Sequence, residues 1–223
     1  MALADDILLQ LDENPATPVY HTRAEVLAAV NEAQRLYCLL TLAYERQQTF
    51  TASASMAIRS IFSDFLVPLR VMTTGTAPQR VHPSTLGQLD GLDRSWRAAT
   101  GTPQRYVYLG ADRLLFYPGS SATLELTYAA EPPVLVDGAT PVIAETDWPA
   151  LNDYALYRCR LKEGGQELAK SLGHFEAFLD VVEARAKFQT ERHKAFRYDL
   201  LPVELLRRDL SAMSKRAPSR LAS

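Results

Sequence analysis

The sequence predicts an α+β protein: an antiparallel helical bundle with a long C-terminal helix, interrupted by a small antiparallel β insertion and followed by an extended C-terminal arm. Three observations carry that expectation. Apolar residues recur at helical spacing within residues 1–44 and again within 146–198. The middle of the chain instead alternates apolar and polar residues in short runs punctuated by Gly and Pro. The last stretch turns basic and rich in Ser, Pro and Ala. Residues 1–44 and 146–198 are therefore assigned to a discontinuous helical domain, 45–145 to a β-rich insertion with a short helix, and 199–223 to a docking arm.

A first short helix is expected over Leu3 to Leu11, with Leu3, Ile7, Leu8 and Leu11 near one face. The prolines of "NPATPVYH" break it, because each fixes φ and removes a donor. Thr22 followed by Glu25 has the spacing of a capping box, in which each side chain satisfies a free backbone amide of the other. Val26, Val30, Ala33, Tyr37 and Leu40 then mark one helix face. "QQTFTA" and "FLVPLRVMT" read as extended; "MAIRSIFSD" between them fits a short helix or a strand entering a turn, and the extended reading is taken. Pro68 suits a strand edge or a bulge, where its missing N–H leaves no gap.

"HPSTLGQLDGLDRSW" carries a brief helix started by Pro83 or Ser84, packed through Leu86 and Leu89, and ended by Gly91. Gly101-Thr102-Pro103 is a turn, and "RYVYLG", "RLLFYPG" and "ATLELTYAAEP" are strands. In the last, Leu124, Leu126 and Tyr128 alternate with Glu125 and Thr127, so one face packs and the other meets water. "PPVLVDGATPVIAETDWPA" is an irregular return path within the insertion. A helix begins near Asp147 as its cap, with Pro149 in the first turn and Trp148, Leu151, Ala155 and Cys159 in one stripe that Tyr154, Tyr157 and Leu161 widen. Gly164-Gly165 breaks it. Leu168, Leu172, Phe175, Leu179, Val182 and Ala186 then repeat almost as a heptad, in a helix that could run to about Arg197.

Composition narrows the function. The net charge of −2 conceals a tail, residues 189–223, carrying +4 against −6 for the rest. The basic segment from Arg192 to Arg220 is too sparse for a nucleic-acid stripe and equally suits an arm that docks on a protein. No stretch is long and apolar enough to span a bilayer, and the acidic start does not read as a secretory leader. Cys38 and Cys159 sit in apolar helical patterns and read as inert core thiols.

Chemistry finds little support. "KEGGQELAK" has no preceding strand and reads as a helix–helix turn, not a phosphate cradle. The four histidines, His21, His82, His174 and His193, lack ligand-like spacing, so no metal or other cofactor is expected. Asp5-Asp6, Asp90-Asp93 and Asp147-Asp153 read as caps, turns and solvated faces; Ser53-Ser55 and Ser120-Ser121 lie in turn-like contexts with no partner base. Tyr106, Tyr108, Phe116, Tyr117 and Tyr128 are explained by a packed sheet face, with too few basic residues among them for base stacking.

Five segments, "HTRAEVLAAVNEAQRLYCLLT", "FSDFLVPLRV", "WRAATGTPQRYVYLGADRLLFYPG", "LELTYAAEPPVL" and "ALNDYALYRCRLKEGGQELAKSLGHFEAFLD", in this order and spacing, resemble the adaptor, or head-to-tail connector, proteins of tailed bacteriophages. The resemblance covers roughly residues 3–197 and departs from the common pattern around 52–63. It implies a non-enzymatic virion protein: a homo-oligomeric, dodecameric ring beneath the portal protein at the portal vertex, with neck or tail proteins attached below. Genomic DNA would pass through its lumen without sequence-specific binding, and no membrane would be involved. On that resemblance, Tyr37, Leu151, Tyr154, Leu168, Leu172 and Phe175 hold the bundle, while Trp96, Gly101, Pro103, Tyr106 and Tyr128 shape the insertion. Leu205, Leu206, Arg207, Arg208, Lys215, Arg216 and Arg220 are the candidate portal-docking residues. A subunit of another ring or lattice, an enzyme assembled from distant His, Asp and Glu, and a nucleic-acid-binding module are the competing readings.

Overall fold

The computed structural model describes residues 3–52, 59–60, 62–110, 113–164, 167–192 and 206–208. The chain divides into two compact units: Met1–Ala43 with Pro132–Ser223, and Tyr44–Glu131.

The first unit is helical. It contains α1 (Leu3–Gln10), α2 (Arg23–Thr41), α4 (Trp148–Glu163) and α5 (Glu167–Arg192), α3 belonging to the other unit. Thr22 caps α2 as its spacing predicts: the Glu25 amide donates to Thr22 Oγ1, and the Thr22 amide donates to Glu25 Oε2. The predicted face of α2, from Val26 to Leu40, is buried. α2 ends at Leu42, a buried residue in the left-handed region (φ 54°) whose amide donates to the Cys38 carbonyl. Pro149 occupies the first turn of α4, and Gly164 (φ 69°) ends it. Tyr154 meets Phe178 while Tyr157 meets Phe175, so α4 and α5 run antiparallel across a short turn. The continuation of α5 to Arg197 lies outside the described residues.

Residues 132–145, read from sequence with the insertion, group with the helices. Two amides of α2 fasten them. Asn31 Nδ2 donates to the Leu135 carbonyl (3.1 Å), and Asn31 Oδ1 accepts from the Leu135 amide (2.6 Å). Gln34 Nε2 donates to the Pro133 carbonyl, and its Oε1 accepts from the Val142 amide. Each carboxamide offers a donor and an acceptor, so it can satisfy backbone that has no ladder of its own.

The second unit is a mixed sheet: β1 (Glu45–Thr51), β2 (Arg59–Ser60), β3 (Phe65–Thr73), β4 (Arg80–Ser84), β5 (Arg105–Tyr108), β6 (Arg113–Tyr117) and β7 (Thr123–Ala130), with α3 (Leu86–Leu92) between β4 and β5. The strand order is β1-β7-β3-β4-β5-β6-β2. Phe50 of β1 lies 5.7 Å from Phe116 of β6, ring to ring, although four strands separate β1 from β6, so the sheet curls around its inner face. That face holds Phe50, Phe65, Val71, Leu124, Leu126 and Tyr128 in one apolar cluster. Pro68 sits beside a register shift of β3 against β7, where its missing donor is tolerated.

The insertion is not purely antiparallel, because β4 and β5 pair in parallel. The reason is the connection: α3 and a 3₁₀ turn at Trp96–Ala98 carry the chain back, and a crossover returns a strand in its original direction. β4 itself has only Val81 to mark it as a strand from sequence. α3 starts one residue later than expected, with Thr85 and Gln88 forming the capping box in place of Pro83 or Ser84. Leu86 does not pack inward but is exposed; Leu89 is the buried residue.

Candidate functional site

Charged residues of the helical unit are distributed in pairs. His21, buried before α2, places Nε2 2.8 Å from Glu163 Oε1 at the end of α4. The Glu13 carboxylate accepts from the amides of Val19, Tyr20 and His21, which fixes the turn leading into α2 and holds Glu13 below its usual range. Lys162 donates to Glu25 (2.9 Å) and to the Tyr20 carbonyl, and lies 4.8 Å above the Tyr20 ring. Lys162 and the Thr22 cap together hold the Glu25 carboxyl down at about 2. Glu32 accepts from Arg158 and from the Tyr154 hydroxyl, both at 2.9 Å. His21, Glu25, Glu32, Arg158, Cys159 and Lys162 line a cavity of about 270 Å³. Among the described residues its charged groups are paired: Lys162 with Glu25, Arg158 with Glu32, and His21 with Glu163.

A more enclosed constellation joins three helical elements. The Tyr37 hydroxyl donates to Asp147 Oδ2 (2.6 Å), and Arg185 donates to the same oxygen through Nε (2.9 Å) and Nη2 (2.6 Å). Burial and the neighbouring carboxylate push the Tyr37 hydroxyl well above its usual range, while Tyr37 and Asp147 hold the Arg185 guanidinium up. Asp147 occupies the cap position of α4, but it does not cap: its side chain makes no bond to the helix amides. It is a keystone for α2 and α5 instead.

Of the candidate bundle residues, Tyr37, Leu151, Tyr154 and Leu172 are buried, and Leu168 and Phe175 are half-buried. Trp148 is also half-buried, at the margin of the stripe read for α4. Phe178, which strict stripe counting on α5 passes over, is fully buried, with its ring 5.0 Å from Tyr154 and 6.2 Å from Phe175. Both thiols are free and buried, and burial pushes Cys38 up to about 12 and Cys159 to about 11.

In the sheet unit, Trp96 is buried against Leu89, Val107 and Leu115, and its indole N–H donates to Asp90 (2.7 Å). Gly101, at φ 156°, donates to the Gly119 carbonyl beside Pro118, and Pro103 is buried. Tyr106 is enclosed, and burial pushes its hydroxyl up to about 12. Tyr128 donates to Asp64 Oδ1 (3.0 Å); burial and then that carboxylate push it up to about 12.

The acid pairs suggested by sequence are divided among different partners. Asp5 takes Arg23, Asp90 takes Trp96, Asp93 accepts from Ser95, Asp147 takes Arg185 and Asp153 meets His174. Among the described residues, no group of three His, Cys, Asp or Glu could hold a metal ion, and no helix is long and apolar enough to cross a membrane.

Of the candidate docking residues, Leu206, Arg207 and Arg208 form a helical turn, with Leu206 half-buried and Arg208 exposed. Arg207 reaches Glu183 through Nε (3.1 Å) and Asp180 through Nη2. Leu205, Lys215, Arg216 and Arg220 lie outside the described residues. The geometry therefore offers braced helices, a curled sheet and one arginine, Arg207, seated on two acids of α5.

Compared with known proteins, the chain matches the family model described as SU10 adaptor protein over residues 2–198. Comparison with curated proteins finds no match.

Proposed function

The chain belongs to the SU10 adaptor protein family, and on that premise we propose that it is a structural virion protein of a tailed bacteriophage, forming a ring between the portal protein and the tail. The observation that carries this reading is the family match itself, which runs through both compact units. The helical unit serves as the ring wall, and the sheet unit as an outward or tail-facing contact surface. Residues 199–223 are the docking arm, with Leu205, Leu206, Arg207, Arg208, Lys215, Arg216 and Arg220 contacting the portal.

No chemical step belongs to this function. Its mechanism is repetition: modest contacts made by each of twelve subunits about one axis add up to an assembly that does not dissociate. The −6 balance outside the basic tail favours a lumen that lets DNA slide, because repeated cations would trap a polyanion in a salt-dependent way. Downstream neck or tail proteins attach below the ring.

Electron microscopy of purified portal mixed with the full chain tests the reading. Ring density coaxial with the portal is expected, and deletion of residues 199–223 should weaken attachment while both units still fold. A chain that binds no portal, or phage particles that stay fully infectious without it, would overturn the assignment.

A further inference from the structure

Arg207 is a candidate docking residue, yet in the isolated chain it is already occupied. Its guanidinium spans Asp180 and Glu183, one turn apart on α5, contacting Glu183 through both Nε and Nη2. The contact lies at the surface: the Asp180 side chain is 70% exposed, and Glu183 also receives Lys187 Nζ at 2.6 Å. Fourteen peptide steps separate Arg192 from Leu206, with an extended reach of about 48 Å. The return from Arg192 to Glu183 along α5 is only about 14 Å. The connection is thus long enough to allow either this contact or a different one elsewhere.

We propose that Arg207 is a latch: Asp180 and Glu183 park the turn at Leu206–Arg208 on its own α5, and an acidic partner surface must take the guanidinium from them. The partner's chemistry follows from what the latch offers. Exchange of one exposed ion pair for another is nearly neutral, since such pairs contribute little in water. Release therefore favours a surface that presents paired carboxylates at comparable spacing and excludes water from them. That this surface lies on the portal rests on the ring reading above; the latch itself does not.

The full chain carrying Asp180→Asn and Glu183→Gln separates the two roles of Arg207, because it opens the latch and keeps the arginine. Trypsin cleavage after Arg207 and Arg208 should accelerate about two- to five-fold in this variant, and similarly for the native chain at high salt. Unchanged cleavage in the acid-side variant overturns the latch. In a portal-binding assay the acid-side variant should attach faster than the native chain, and Arg207→Ala more weakly. Faster cleavage without faster attachment overturns the gating role. Failure of the native chain to bind portal would instead sink the ring reading, and the cleavage experiment would still decide the latch.

Discussion

In the helical unit, elements far apart in sequence are joined by polar groups aimed at one another, whereas in the sheet unit the inner face is filled almost entirely with apolar and aromatic side chains. Tyr37, Asp147 and Arg185 come from α2, the start of α4 and α5, and meet on a single carboxylate oxygen. Asn31 and Gln34 fasten the return path to α2 in the same manner. In the sheet, Phe50, Phe65, Leu124, Leu126 and Tyr128 pack together, and the Tyr128–Asp64 bond ties β7 to the turn that leads into β3. Apolar contacts tolerate rearrangement, while a polar network admits few geometries and leaves a costly orphan when broken. The helices are thus specified as well as filled.

Each unit carries its own reporter, because Trp148 lies in the helical unit and Trp96 in the sheet unit. Both cysteines also belong to the helical unit. The largest expected effect is that of Phe178→Ala, which empties a fully enclosed site between α4 and α5 and should cost about 3–5 kcal/mol. Urea unfolding in a Trp148→Phe background, read by Trp96, should shift little. Thiol labelling at pH 8 should accelerate strongly, because opening the helices exposes thiols whose burial otherwise keeps them protonated. The sign is that of an acid with a raised folded value: the buried neutral thiols stabilise the fold below their unfolded pKa, and that contribution falls as pH rises toward 11 and 12. Equal shifts of the Trp96 transition would show that the two units unfold as one.

A smaller effect is expected from Arg185→Met, which keeps the apolar stem but leaves Asp147 Oδ2 with Tyr37 as its described partner. The loss should be about 2 kcal/mol, below that of a fully buried ion pair because Arg185 is partly exposed. Tyr37→Phe, which leaves the Arg185–Asp147 pair intact, should cost less. If Arg185→Met is neutral, the network is ornamental and the contrast between the units fails.

What the sequence made legible follows the range of the interaction. The Thr22 cap and the buried face of α2 depend on neighbours within four residues, and both are visible in the letters. Asp147 shows the limit: its position before Trp148-Pro149 is that of a cap, yet its partners lie 110 and 38 residues away. Asn31 and Gln34 look like ordinary polar positions on a helix, since nothing local announces backbone acceptors about a hundred residues on. Phe178 escaped a stripe counted in strict steps because its burial comes from contact with Tyr154 of α4, which lies 24 residues away in the chain. β4 carries one buried valine and a proline, so only its pairing with β3 and β5 makes it a strand.

The smallest expected effect probes the sheet unit's polar tether. Tyr128→Phe removes one hydroxyl from an otherwise apolar position and leaves Asp64 still paired with Arg46. Because the Asp64 carboxylate keeps a partner and the ring keeps its contacts with Phe62 and Phe65, the cost should be about 1 kcal/mol, read by Trp96 and absent from Trp148. A second consequence separates bond from packing. With the hydroxyl gone, alkaline destabilisation of the sheet unit should lessen, since a tyrosine raised to about 12 in the fold favours the folded chain only while it stays protonated. A loss as large as that of Arg185→Met would mean that the sheet, too, is braced by directed polar contacts, and the division between a specified unit and a filled one would disappear.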